Sequence, residues 1–168
     1  LAQVVPDRVI ADGNDSTDVT AISHLSNGKY RVYLEVYGGG YGAGSLMLQL
    51  EAKDDQLSSK VVFKLVPEVF GATQHTPILK DGFLYGARAD GRFVCLGLDG
   101  KVVWASGSGE TFGLGSFLIA GDLIFAVNDS GKLRLLEAAP ARFNLLSEAQ
   151  PLKGRESWAP MALAGNRL

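Results

Sequence analysis

The clearest structural pattern in the sequence lies in Pro77-Ile-Leu-Lys-Asp-Gly-Phe-Leu-Tyr-Gly86 and Asp90-Gly-Arg-Phe-Val-Cys-Leu-Gly-Leu-Asp-Gly-Lys-Val-Val-Trp104. Short runs of branched and aromatic residues alternate here with Asp-Gly pairs, and none keeps the 3.6-residue period of a helix. Asp-Gly pairs favour tight hairpin turns because both residues tolerate a positive φ. The stretch therefore predicts four short antiparallel strands in succession.

The same pattern recurs along the chain at intervals of about 40 to 50 residues, which is typical of the blades of a β-propeller. Three complete units are predicted at about 19–65, 76–106 and 115–148, and a fourth begins near 159 and is incomplete. Propellers usually close with about four to eight blades. We therefore expect an all-β arc of four-stranded antiparallel blades that belongs to a larger ring. A small β-sandwich is the alternative, and the regular repetition disfavours it.

Composition excludes several functional classes. The 168 residues carry 16 Lys+Arg against 18 Asp+Glu, a balance that lacks the excess positive charge of a nucleic-acid binder. No apolar run is long enough for a transmembrane helix. Cys95 is the single cysteine, which excludes an internal disulfide framework and a cysteine-rich metal site. Because Cys95 stands in an apolar strand, it is interpreted as a small buried hydrophobe.

The quoted residues resemble the repeat of the quinoprotein-type, or PQQ-like, β-propeller family. Gly100-Lys-Val-Val-Trp104 is similar to the end of that repeat, G-x-x-x-W, whose tryptophan docks between adjacent blades. Gly38-Gly-Gly-Tyr-Gly-Ala-Gly-Ser45 and the segment from Trp158 to Leu168 resemble a bacterial subgroup that is usually exported. The resemblance implies docking roles for Phe63 and Trp104 and, in an expected last strand of the third unit at 142–146, for Phe143.

Two candidate ligand residues stand just before predicted first strands, in His75-Thr-Pro77 and Trp158-Ala-Pro160. When the two prolines are matched, His75 and Trp158 are expected at the same mouth of a central channel. There an imidazole and an indole can hydrogen-bond to a ligand and stack on it. The same alignment puts Leu114 and Ala21 at the corresponding places. The alternative interpretation is that Trp158 packs on a neighbouring blade and His75 is a solvated turn residue.

Asp12, Asn14, Ser16 and Asp18 place side-chain oxygens at alternate positions as in a calcium loop, with Asp12, Asn14 and Asp18 as the weak candidate ligands, but the glycine and the closing glutamate of such a loop are absent. We interpret this segment as a polar loop and predict no metal site. The glycine-rich stretch 38–44 is followed by a strand instead of a helix, so it lacks the helix N-terminus of a phosphate-binding loop.

Function is predicted as a non-catalytic binding or interaction scaffold, periplasmic or secreted, with no cofactor of its own. Its partners are an unidentified protein or small molecule and the remaining blades of the same parent chain. The alternative implied by the resemblance is part of a quinone-dependent dehydrogenase, which holds PQQ and calcium and has its catalytic residues in further blades. A weaker alternative resembles a lipoprotein scaffold for outer-membrane protein assembly.

Overall fold

A computed structural model describes residues 16–24, 29–37, 44–53, 56–165 and 167–168 of the chain. Throughout these residues the secondary structure consists of strands joined by turns and loops, without a helix. The all-β prediction is therefore confirmed. No apolar helix of membrane-crossing length occurs in this part of the protein.

The strands form sheets of four antiparallel strands, ordered within each sheet as they are in the sequence. The first sheet contains β1 (Ser16–His24), β2 (Lys29–Tyr37), β3 (Ser45–Lys53) and β4 (Gln56–Leu65). The second contains β5 (Ile78–Lys80), β6 (Phe83–Ala87), β7 (Phe93–Gly97) and β8 (Val102–Ala105). The third contains β9 (Phe117–Ala120), β10 (Leu123–Val127), β11 (Leu133–Glu137) and β12 (Leu145–Ala149). The predicted four-stranded antiparallel sheets are thus confirmed.

All three sheets carry a β-bulge at the same place, where the fourth strand holds one residue more than the third strand opposite it. The extra residues are Val62 in β4, Val103 in β8 and Leu146 in β12. An extra residue at a bulge is left out of the pairing, and these three side chains are exposed. The shared bulge aligns the three sheets residue by residue.

This alignment defines in each sheet one row of four residues directly opposite one another, which we call the docking row. Where the side chains are described, those of one row lie on the same face, because successive residues of a strand point to opposite faces. The three docking rows are Ala21–Tyr33–Met47–Phe63, Ile78–Tyr85–Cys95–Trp104 and Leu118–Phe125–Leu135–Ser147.

Two apolar clusters hold the sheets together, and each lies between consecutive sheets. The cluster between the first and second sheets has Met47, Phe70, Leu84, Val94 and Leu96 as its buried members. The cluster between the second and third sheets includes Tyr85, Phe93, Cys95, Trp104, Ile124 and Leu136. The first and second sheets therefore each pack the face of the docking row against the opposite face of the next sheet.

Arg134 on β11 adds a polar connection between the second and third sheets. Its guanidinium donates to the carbonyl oxygen of Thr111 at 2.6 Å and lies 5.0 Å from the ring centre of Phe112. Both partners belong to the chain segment that leads from the second sheet to the third. The buried arginine therefore fixes this connection by a charged hydrogen bond and a cation–π contact.

The last strand of the third sheet begins later than predicted. We expected it at 142–146, whereas β12 runs from Leu145 to Ala149. The preceding loop is closed by Asn144, whose carbonyl accepts the Glu137 N–H at 3.0 Å and whose side-chain amide donates to the Glu137 carboxylate at 2.9 Å. This closure keeps Phe143 outside the strand.

Among residues 159–165 and 167–168, the described part of the predicted fourth unit, no strand is formed. Ala164 and Arg167 form an isolated antiparallel bridge around Gly165, which has a φ of 59°. The same two-residue spacing separates Lys80 from Phe83 in the second sheet, where Asp81 and Gly82 also have positive φ. The chain therefore repeats the hairpin turn of the preceding units at this point.

Candidate functional site

Trp104 links the second sheet to the third. Its indole Nε1–H donates to the carbonyl oxygen of Ala139 at 2.9 Å, and its ring packs edge-on against Phe143 with centroids 5.7 Å apart. On its own sheet it lies beside Tyr85. Burial of a large aromatic surface and one directed hydrogen bond fix the position of the two sheets relative to each other.

Phe63 holds the corresponding docking-row position in the first sheet and packs into the cluster shared with the second sheet. Its ring lies directly against Gly100, where an added Cβ would come within 3.0 Å of ring carbons. Gly100 also has a φ of 83°. The absence of a side chain at Gly100 therefore makes room for the ring of the preceding sheet.

Phe143 does not hold the docking-row position that we expected for it. The register puts Ser147 opposite Leu135, as Trp104 is opposite Cys95, whereas Phe143 precedes β12. Phe143 instead forms part of the surface that receives Trp104. The expectation was misplaced because the long loop before β12 moves the strand along the sequence.

His75 is a buried packing residue, with 8% of its surface exposed. Its Nε2 accepts the backbone N–H of Ala87 at 2.9 Å, and its ring meets Phe117 of the third sheet edge-on at 5.4 Å. Burial lowers the pKa of the imidazole from 6.5 to about 4. A neutral ring that accepts at Nε2 carries its proton on Nδ1, which is buried and has no partner within the described residues.

In the third sheet, the backbone N–H at the position equivalent to Ala87 has a different acceptor. Val127 occupies the place of Ala87, and its N–H donates to the carbonyl oxygen of Ser116 at 2.9 Å. The adjoining Gly115 lies so close to β10 that an added Cβ would stand 1.6 Å from the carbonyl oxygen of Val127. In the second sheet the imidazole of His75 therefore replaces a main-chain acceptor.

Trp158 lies on the surface with 37% of its area exposed. Its indole Nε1–H donates at 3.0 Å to the carboxylate of Asp129, which also accepts the backbone N–H of Leu114 at 2.8 Å. The carbonyl oxygen of Asp129 accepts the N–H of Ser157 at 3.1 Å. Asp129 thus joins the segment that enters the third sheet to the segment that leaves it.

His75 and Trp158 do not form one site, and the reason is a difference of one residue in register. The last residue before each hairpin turn is Lys80, which pairs with Phe83, and Ala164, which pairs with Arg167. His75 is five residues before Lys80, whereas Trp158 is six residues before Ala164. Adjacent residues of an extended chain point to opposite sides. Gln74 is therefore the positional equivalent of Trp158, and both are exposed while His75 is buried.

The sequence-based alignment matched Pro77 with Pro160 and therefore gave His75 and Trp158 the same position. Pro77 is followed at once by β5, while Pro160 stands one position further from its bridge. The equivalence drawn for Ala21 also differs from the structure, because Ala21 lies in the docking row, where its counterpart is Ile78. Leu114, six residues before Ala120, does correspond to Trp158.

Of the weak cation-loop residues, Asp12 and Asn14 lie outside the described residues, and Asp18 lies in β1. The glycine-rich stretch is described only from Gly44 onward. Among the described side chains, no three His, Cys, Asp or Glu residues group closely enough to hold a metal ion.

Cys95 lies at the centre of the docking row of the second sheet and is fully buried. Burial raises the pKa of its thiol to about 11, and burial likewise raises the pKa of its neighbour Tyr85. A thiol of this kind is protonated at neutral pH and is a poor nucleophile. Cys95 therefore serves in packing between the second and third sheets.

The exposed candidate site is the junction formed by Asp129, Leu114 and Trp158, where the carboxylate orients an accessible indole ring. The exposed part of an indole held at its N–H can stack on a flat or apolar ligand group. Asp129 was not singled out in the sequence, because a lone aspartate in a turn gives no signal of its distant partners. Compared with known family models and with curated proteins, the chain matches none.

Proposed function

We propose that this protein is part of a PQQ-like repeat β-propeller that serves as a non-catalytic interaction scaffold. The observation that carries the proposal is a repeated contact between consecutive sheets. Phe63 packs onto the second sheet, and Trp104, at the equivalent position, packs onto the third. Each sheet then acts as one blade, rotated with respect to its neighbour about a common axis. The contact of β1 with β5 supports an arrangement in which first strands lie nearest the axis.

The free face of the third sheet supports the same proposal. Its docking row has Leu118, Phe125 and Leu135 partly exposed, whereas the corresponding residues Tyr85 and Cys95 of the second sheet are buried. An apolar sheet face of this kind needs a partner to exclude water. In the proposed ring a further blade provides that partner.

Binding in this proposal occurs at the loops that join the strands and the blades, because a rigid sheet scaffold can present variable loops in a fixed arrangement. Trp158, oriented by Asp129, is the residue that we propose to contact a ligand or partner. His75 is assigned to the scaffold, since its ring is buried against Phe117. Periplasmic or secreted localisation is part of the proposal and rests on the family resemblance.

The scaffold role is preferred over the quinone-dependent dehydrogenase because His75, Cys95 and Asp129 are engaged in structure. His75 accepts a backbone hydrogen bond, Cys95 is packed between sheets, and Asp129 binds backbone and indole N–H groups. His75 and Cys95 are also buried, whereas a general base must reach the proton of a bound substrate.

The two roles are separated by incubating the full chain with Ca²⁺ and PQQ, removing unbound quinone and recording the absorption spectrum. Reduction of an artificial electron acceptor with alcohols and sugars is measured on the same sample. We expect no retained quinone and no reduction. Stoichiometric quinone retention with substrate-dependent reduction would establish the enzyme and exclude the scaffold role.

A further inference from the structure

β4 has a longer free edge than the other two fourth strands. β4, β8 and β12 each end their sheet, so each has backbone N–H and C=O groups on one side that no strand of the described chain pairs. In β8 and β12 a single residue precedes the bulge. In β4 the register with β3 is unbroken from Gln56 to Val61. An unbroken edge is a template for a further strand.

The side chains of this edge are also accessible. From Ser58 to Lys64 every side chain except Phe63 is exposed. Val61 and its neighbour Val62 expose 54% and 38% of their surface. Two adjacent exposed valines on a free strand edge form a small apolar surface that a partner strand can cover.

The charge next to these valines is positive. Lys60 and Lys64 stand on either side of the pair, and neither takes part in the ion pairs of the described chain. By contrast, Lys101 beside β8 pairs with Asp99 at 3.0 Å. The β4 edge therefore offers two uncompensated ammonium groups, which favour an acidic partner.

We propose that residues 56–64 bind an extended acidic peptide segment of a partner protein as a fifth strand of the first sheet. The backbone of the segment pairs with β4, an aliphatic side chain covers Val61 and Val62, and carboxylates bind Lys60 and Lys64. Strand addition of this kind gives affinity through main-chain hydrogen bonds and specificity through side chains. The surface lies on the strand edge, apart from the Asp129–Trp158 junction, and its use does not depend on ring closure.

The register pairs Lys60 with Gln49 and Lys64 with Leu46, so the two lysines lie on opposite faces of the sheet. The test titrates the full chain with two labelled peptides whose charged residues also lie on opposite faces of a strand, Val-Glu-Val-Thr-Glu-Val and Val-Lys-Val-Thr-Lys-Val, by fluorescence anisotropy at low salt. We expect the acidic peptide to bind about tenfold or more tightly than the basic one. The double variant Lys60→Glu/Lys64→Glu is expected to reverse this order. Hydrogen exchange with the acidic peptide present is expected to slow at 56–64 and to stay unchanged at 102–105.

Matched variants in β8 serve as controls. Val61→Thr is expected to weaken binding of the acidic peptide, and Val103→Thr is expected to leave it unchanged. Equal affinity for both peptides, no affinity for either, or exchange protection outside β4 would overturn the proposal. If light scattering detected a dimer and Val61→Lys dissociated it, the proposal would also be overturned, because a second copy of the chain would then occupy the β4 edge.

Discussion

The indole N–H of Trp104 donates to the carbonyl oxygen of Ala139 across the boundary between the second and third sheets, at 2.9 Å. This bond joins a fourth strand to the loop that follows the third strand of the next sheet. The ring itself is buried between Tyr85 and Phe143. The contact therefore combines two separable contributions, a hydrogen bond and the burial of an aromatic side chain.

Substitutions at Trp104 separate these contributions. Trp104→Phe removes the donor and keeps a buried ring, so we expect a loss of about 1 to 3 kcal/mol in the free energy of unfolding. Trp104→Ala also leaves a cavity and is expected to cost about 3 to 5 kcal/mol. Urea unfolding followed by circular dichroism measures both values. Equal losses for the two variants would show that ring burial contributes nothing.

His75 makes stability depend on pH in a defined window. Its pKa is about 4 in the native state against 6.5 when exposed, so the unfolded chain binds more protons between these values. The free energy of unfolding is therefore highest above pH 6.5 and falls as pH decreases towards 4, by about 3 kcal/mol from this residue. The pH dependence of the free energy of unfolding is compared with that of His75→Gln, which lacks the imidazole and keeps every other titratable group of the protein. If the difference between the two proteins were constant with pH, the buried neutral imidazole would be refuted.

The exposed face of the third sheet predicts self-association. Phe125 lies on that face, whereas its neighbour Ile124 is fully buried against the second sheet. Phe125→Lys is expected to reduce association while leaving the fold intact, because the lysine enters solvent. Ile124→Lys is expected to unfold the protein, because it buries an unpaired charge. Light scattering and circular dichroism measure the two effects. A wild-type chain that stays monomeric at high concentration would contradict the prediction.

The two tryptophans are expected to respond differently to a soluble quencher. Trp158 is partly exposed and Trp104 is buried, so acrylamide is expected to quench Trp158 preferentially. Trp158→Phe removes that component and is expected to change stability by less than about 1 kcal/mol, since the bond to Asp129 is at the surface. Asp129→Ala is expected to cost more, because the N–H of Leu114 also loses its acceptor. Equal stability of the two variants would exclude the junction role of Asp129.

Arg134 and Lys132 provide a matched pair, since both bind Glu148. Arg134→Met removes the buried bond to Thr111 and the contact with Phe112, and we expect a loss of about 2 kcal/mol. Lys132→Ala removes only a surface ion pair and is expected to cost less than about 1 kcal/mol. Thermal unfolding with and without added salt distinguishes them, because salt screens the ion pairs with Glu148 but not the buried bond of Arg134 to Thr111. The reverse order of the two losses would show that the surface pair dominates.

Short apolar runs and turn residues were sufficient to predict the sheets, because both are local properties of the chain. The run Phe83-Leu84-Tyr85 next to Asp81-Gly82 specifies a strand after a tight turn, whatever that strand packs against. The position of β12 was missed because the loop closed by Asn144 depends on hydrogen bonds to Glu137. The separation of His75 from Trp158 was missed because a one-residue shift reverses the direction of a side chain.

Local patterns in the amino-acid sequence specify antiparallel strands in repeating groups of four, with glycine-containing turns between them. Which side chains meet across the sheets is set by the three-dimensional packing. In the structure, Phe143 packs against Trp104 and His75 packs against Phe117, and the indole of Trp158 donates a hydrogen bond to Asp129. Turns and strand patterns depend on interactions within a few residues. Contacts between sheets, in contrast, depend on the register and loop lengths of the whole chain, which no local pattern encodes.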